Sequence, residues 1–152
     1  MKNIFKNLFY LLLPLVIGII VGLLINNQID YNTLVKPRFA PPSILFPIIW
    51  SIIYILMGIS YYLLNKDNFI SKDVKIIYYL QLGFNALWSI IFFVLKLRLL
   101  ACIWIIILDI LVTLMISKFF DIKKICAYLN IPYLIWCLFA TYLTIGIYIL
   151  NR

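Results

Sequence analysis

The chain has no histidine, and its five acidic residues are all aspartates, set against 13 lysines and arginines. Without histidine there is no imidazole for acid–base catalysis, no His-ligated metal and no proximal-His haem ligation. The three cysteines, Cys102, Cys126 and Cys137, are odd in number. Their spacing fits neither a zinc site nor a disulfide framework, so they read as small hydrophobes. No Ser/His/Asp set, carboxylate pair, phosphate loop or metal-ligand pattern is present, which argues against a hydrolytic or metal-dependent enzyme. Any chemistry would fall to tryptophan, tyrosine, cysteine or the reactivity of a ligand. Charge is scarce too: 12% of residues are charged, about half the share usual in soluble domains.

What fills the chain is apolar. Of 152 residues, 66% are hydrophobic, and the mean hydropathy is +1.13. A soluble domain of this size could not hide so much apolar surface. Lipid is therefore part of the solvent, and the length suits one domain, 1–152. The net charge of +8 comes from cations placed between apolar runs, where they anchor helices and set topology. They form no basic face, so nucleic acid is not a partner.

Spanning a bilayer takes about 20 mostly apolar residues. Five stretches qualify, about 5–25, 44–64, 74–95, 99–120 and 127–150. The predicted fold class is an all-α membrane protein, a five-transmembrane-helix bundle. The first stretch is too long for a signal peptide's apolar region and no small-residue cleavage site follows it, so it is read as retained. Three connections are short, near Asn65 to Asp73, Lys96 to Arg98 and Asp121 to Cys126, which makes sequential helices antiparallel. The loop after helix 1, about 26–43, is much longer, and loops of that length are usually functional or disordered. No internal repeat appears, which disfavours an inverted-repeat transporter. Lys2, Lys6, Lys66, Lys72, Lys75, Lys118, Lys123 and Lys124 fall on the amino-terminal side. Lys36, Arg38, Lys96, Arg98 and Arg152 fall on the other. The positive-inside rule then places the amino terminus in the cytoplasm, with the long loop and the carboxyl terminus outside.

Three helices carry a striped face with a tryptophan. Helix 2 aligns Trp50, Tyr54, Met57 and Tyr61; helix 3 aligns Asn85, Trp88 and Phe92; helix 5 aligns Tyr133, Trp136, Ala140 and Leu143. Spacings of three and four keep each set on one side. Such stripes serve as packing faces and interfacial belts, or they line a pocket in which rings stack on a flat ligand and a few polar groups orient it. Gly18 and Gly22 form a GxxxG, either a tight helix contact or only backbone flexibility. Asp109 lies mid-helix, where a carboxylate costs about 2.5 to 3.5 kcal/mol; the twelve Leu, Ile and Val residues from Leu99 to Ile116 return about −4 to −7 kcal/mol. Asp109 should face the bundle interior, protonated or bonded to a neighbour such as Asn85, as structural glue or as a ligand or proton contact. Leu143, Tyr148 and Arg152 satisfy a loose sterol-contact pattern; Tyr148 and Arg152 equally suit interfacial anchors.

Together these segments resemble the TspO/translocator protein family, also called tryptophan-rich sensory proteins or peripheral-type benzodiazepine receptors. KPRFAPPSILFPIIWSIIY resembles the family's K-P-x-W-x-P-P-x-x-x-F-x-x-x-W signature. QLGFNALWSIIFF resembles its helix 3 segment, and PYLIWCLFATYLTIGIYILN its helix 5 segment built on P-Y-x-x-W-x-x-F-A-T-Y-L. An aspartate in helix 4 occurs in some members. The resemblance runs from about Tyr31 to Asn151 and implies an integral protein of a bacterial cell membrane, often a homodimer. It implies no required cofactor. The implied ligands are porphyrins (protoporphyrin IX or haem), and sterol or isoquinoline-type molecules, held in a pocket under loop 1. Mapped residue by residue, that pocket takes in Tyr31, Pro41, Trp50, Tyr54, Asn85, Trp88, Ser89, Trp136, Ala140 and Leu143, with Asp109 as a further polar contact. The implied role is tetrapyrrole handling or stress sensing. For some bacterial members it also implies light- and oxygen-dependent porphyrin breakdown through two pocket tryptophans, which align with Trp50 and Trp136 as the catalytic pair. A small amphipathic-solute transporter is the remaining alternative. Here Phe39 stands where the family's loop tryptophan stands, and the helix 3 small-residue pair is half present, Gly83 being followed by Leu87. Pro37, Pro41 and Pro42 restrict the loop, and a preordered lid loses less entropy on binding. Lys36 and Arg38 then stand where a ligand's carboxylates would emerge, or where lipid phosphates lie.

Overall fold

Runs this apolar satisfy their backbone as helices inside a bilayer, and in the computed structural model, which describes residues 2–66 and 70–152, all regular structure among those residues is helical, with no strand. Helix α1 spans Lys2–Ile25 and runs into a 3-10 turn at Asn26–Gln28. Helix α2 spans Leu45–Lys66. Helix α3 spans Lys72–Ser89 and continues as a π-helical turn, Ile90–Val94. Helix α4 spans Arg98–Ile122, α5 Lys124–Tyr128 and α6 Ile131–Leu150. By length and hydropathy they make five spans: Phe5–Gln28, Leu45–Lys66, Lys72–Val94, Arg98–Ile122 and Lys124–Leu150. The five-helix membrane bundle expected from the sequence is the observed fold. The short connection expected from Asn65 to Asp73 lies partly outside the described residues, at 67–69.

Two helices depart from the single rods read in the sequence. The third does not stay α-helical to Leu95. Its backbone widens, so that Leu95 N–H donates to the Ile90 carbonyl at 3.0 Å and Leu97 N–H to the Ile91 carbonyl at 3.1 Å. The chain then turns at Lys96, which has φ 56°. The fifth begins earlier, at Lys124, and breaks at Leu129 and Asn130. Pro132 is the cause, because a proline without an N–H fits a helix only in its first turn. Asn130 fills the break. Its Nδ2 donates to Ser60 Oγ at 2.7 Å and to the Cys126 carbonyl at 2.8 Å, and Ser60 Oγ donates to that carbonyl at 2.9 Å. These bonds tie α2 to the α5–α6 corner.

Helix α1 packs against α2 through glycines. A Cβ at Gly58 would lie 2.0 Å from the Leu11 carbonyl oxygen, and one at Gly18 would lie 2.3 Å from the Tyr54 ring. Gly22 meets nothing within 4 Å, so the GxxxG marks one close contact rather than two. Gly83 is open as well, and Leu87 beside it is exposed. One half of the core is filled by Met57, Tyr61, Tyr78, Met115 and Phe119, with the Tyr61 and Tyr78 rings stacked 3.7 Å apart.

At the opposite end, loop 1 meets two other elements. Asp30 pairs with Arg98 at the α3–α4 corner, and Val35 pairs with Asn151 after α6. The long loop, the α3–α4 corner and the carboxyl terminus therefore share one end of the bundle.

Candidate ligand site beneath the first loop

The three tryptophan stripes turn inward and converge. From α2, Tyr54 donates its hydroxyl proton to Asn85 Oδ1 of α3 at 2.7 Å. Asn85 Nδ2 donates to the Tyr133 hydroxyl of α6 at 2.9 Å, and Tyr133 donates to Gln81 Oε1 at 2.8 Å. Gln81 Nε2 ends the relay on Met57 Sδ at 3.5 Å. Each donor in this column points the same way, and the column links three helices. Tyr54 and Asn85, expected as polar contacts for a ligand, are bonded to each other, and Asn85 is bonded to Tyr133. Gln81 was not singled out in the sequence, although it lies one helical turn before Asn85 on the same face.

Above the column, aromatic rings close the end of the bundle. Trp50 stacks on Tyr54 with centroids 5.4 Å apart and meets Tyr133 edge-on at 6.2 Å. Trp136 meets Phe46 at 5.8 Å, and Phe46 meets Tyr31 at 5.0 Å. Tyr31, only 3% exposed, is seated in a second apolar cluster with Trp88, Ile91, Phe92, Ala140 and Ile147. Its hydroxyl donates back to the Pro41 carbonyl at 2.8 Å. A cavity of about 20 Å³ remains beside it, lined by Tyr31, Phe46, Trp88, Phe92, Phe93, Ala140, Leu143, Thr144 and Ile147. That is room for about one water. With Tyr31 and Phe46 in place the space is too small for an organic molecule. Two buried indole nitrogens here, Trp88 Nε1 and Trp136 Nε1, have no hydrogen-bond partner.

The TspO/MBR family profile matches residues 10–150 of this chain. The chain belongs to the TspO/MBR family. It is similar to the tryptophan-rich protein TspO of Archaeoglobus fulgidus, 42% identical over 122 residues that cover 80% of this chain and 79% of that protein. A tryptophan-rich sensory protein of Cereibacter sphaeroides is 32% identical over 111 residues, covering 73% and 70%. A translocator protein homolog of Schizosaccharomyces pombe is 31% identical over 127 residues, covering 80% and 77%. As a TspO/MBR protein with five spans, the chain is an integral membrane protein.

Not every residue singled out in the sequence joins the closed site. Asp109 is half-buried at the α4–α6 contact, where Thr141 Oγ1 lies 2.6 Å from its Oδ2; the expected bond to Asn85 is absent, because Asn85 is engaged elsewhere. Asp109 Oδ1 is buried without a partner. Lys36, expected to face ligand carboxylates or lipid, directs its ammonium at loop carbonyls: Tyr31 at 3.1 Å, Asn32 at 3.3 Å and Leu34 at 3.2 Å. Arg38 is exposed and lies 5.1 Å over the ring of Phe39, which is 77% exposed with φ 70°. Ser89 is half-buried at the end of α3. Leu143 lines the cavity, whereas Tyr148 is half-buried and Arg152 is exposed past the end of α6, so the sterol-type triplet does not share one environment. The fourth indole, Trp104, packs on the outside of the Tyr31 cluster, stacked on Phe84 at 4.3 Å and donating to the Phe84 carbonyl at 2.9 Å.

Proposed function

We propose that this TspO/MBR protein is a membrane receptor for a flat, mostly apolar tetrapyrrole, protoporphyrin IX or haem, held beneath loop 1 in tetrapyrrole handling or stress sensing. The observation that carries the reading is the pair of buried indole N–H groups, on Trp88 and Trp136, left unpartnered among rings closed over by a single loop. A buried donor without a partner costs about 1–3 kcal/mol. A planar ligand bearing acceptors offsets that cost and stacks on the same rings. Both orphans are donors only, so the ligand brings acceptors, which the carboxylates of a porphyrin supply. Arg38, exposed at the rim of the loop, suits a carboxylate that emerges from the site.

The test is a dark titration of the purified protein with protoporphyrin IX, following tryptophan quenching and the Soret band. Saturable quenching at one ligand per chain supports the reading, and its absence overturns it. The same samples under light report on the enzymatic alternative. Loss of the Soret band that disappears when Trp50 and Trp136 are both changed to Phe would add a photo-oxidative step to the binding function.

A further inference from the structure

Loop 1 is fastened at two points of different strength. The second half is held by neutral contacts: Asn151 Oδ1 accepts from Val35 N–H at 3.0 Å, Asn151 Nδ2 donates to the Val35 carbonyl at 2.8 Å, and the Tyr142 hydroxyl donates to the Arg38 carbonyl. The first half is held by charge. Arg98 Nη2 reaches both oxygens of Asp30, at 2.9 and 2.7 Å, with side-chain exposures of only 14% and 22%. Among the described residues, Asp30 is the only acid in an ion pair; Lys96 adds a longer contact at 3.5 Å from a half-exposed ammonium.

The same guanidinium also holds the wall of the cavity. Its Nη1 donates to the Phe92 carbonyl at 2.6 Å, and its centre lies 4.1 Å from the Phe92 ring centroid. The π-turn, which widens the backbone at Phe92, leaves that carbonyl for Arg98. Phe92 lines the cavity on one side, and Tyr31, the residue after Asp30, closes it on another. One arginine thus bridges the plug and the wall. Lys36 ties the carbonyls of Tyr31, Asn32 and Leu34 together, so this stretch of loop is bound to itself.

We propose that the Asp30–Arg98 pair is the latch that holds Tyr31 against the cavity, and that breaking it is the step that opens the site to a ligand. This rests on reading loop 1 as the lid of the ligand site. A charge-assisted contact shielded from water outweighs the neutral, solvent-reachable bonds at the other end. Opening therefore depends on the Asp30 charge. Asp30→Asn keeps the shape and removes that charge.

The experiment reads opening without any ligand. Backbone amide exchange is followed in lipid nanodiscs for Thr33, Val35 and Ala40, whose N–H groups are all bonded in the closed loop. Asp30→Asn should raise their exchange by about tenfold or more, while interior amides of α2 and α4 keep their rates. Arg98→Lys, which retains charge but cannot reach Asp30 and Phe92 together, should fall between wild type and Asp30→Asn. The exchanged pair, Asp30→Arg with Arg98→Asp, should restore part of the protection, short of wild type because the contacts to Phe92 are not regained. Loop exchange within about twofold of wild type in Asp30→Asn would overturn the latch, as would an equal rise across α2 and α4. Because no porphyrin is present, a failed latch and a failed porphyrin assignment give separate results.

Discussion

Replacing Asn85 by leucine separates a structural column from a ligand contact. The change removes the acceptor for the Tyr54 hydroxyl at 2.7 Å and the donor to Tyr133 at 2.9 Å. Tyr133 keeps Gln81, but Tyr54, 7% exposed, becomes a buried hydroxyl with no acceptor. That orphan costs about 1–3 kcal/mol, and the lost bond to Tyr133 adds about 0.6 to 1.7 kcal/mol at the strength measured between membrane helices. The sum is about 2–5 kcal/mol, or a fall in Tm of about 5–20 °C for a chain of this length. Tyr54→Phe alone should cost about 1 kcal/mol. The double variant should cost about 1–2 kcal/mol less than the two changes added, because no hydroxyl is then stranded. Thermal unfolding in detergent, followed by near-ultraviolet circular dichroism, with an SDS midpoint as a second probe, measures all three. A stability loss below about 0.5 kcal/mol in Asn85→Leu, or strict additivity in the double variant, would refute the structural role argued for the column.

Further expectations concern the glycines and the loop tyrosine. Gly58→Ala places a methyl against the Leu11 backbone, so α1 must move away; the folded population in detergent should drop sharply. Gly22→Ala, in open space, should leave stability unchanged or raise it by about 0.5–1 kcal/mol, as expected for an open helical glycine. Burial pushes the Tyr31 phenol above the usual tyrosine range. For an acid whose folded pKa is raised, the unfolded or open form ionises first. The closed loop is therefore fully favoured below about pH 10 and loses stability as pH rises beyond it. The alkaline absorbance difference between wild type and Tyr31→Phe should show one phenol titrating late, and a phenol titrating at or below the ordinary value would contradict the burial.

Much of the fold could be read in the sequence because bilayer thickness sets run length directly. The positions of the five spans and the inward-facing stripes follow from apolar length and from spacings of three and four. The π-turn at Ile90–Val94 left no such mark, since a five-residue apolar run is compatible with either backbone geometry. The break before Pro132 had a visible signal in the proline itself, but the apolar run continues through it. The Asp30–Arg98 pair joins residues 68 apart, beyond any local pattern. Topology could have found it: Asp30 is the one acid in loop 1, on the side where Lys96 and Arg98 were already placed. Lys36 shows the converse. Its charge suggested an outward role, whereas the carbonyls of its own loop, freed from helix geometry, accept its hydrogen bonds.

The account stands or falls on whether the converging rings beneath loop 1 take up a flat acceptor-bearing molecule, and the most direct measurement is a dark Soret-band titration of wild type against Trp136→Ala. The expected result is saturable binding at one protoporphyrin per chain, weakened about tenfold or more in the variant, as befits the loss of an aromatic anchor. Equal affinity in the two proteins, or no saturable binding in either, would contradict it.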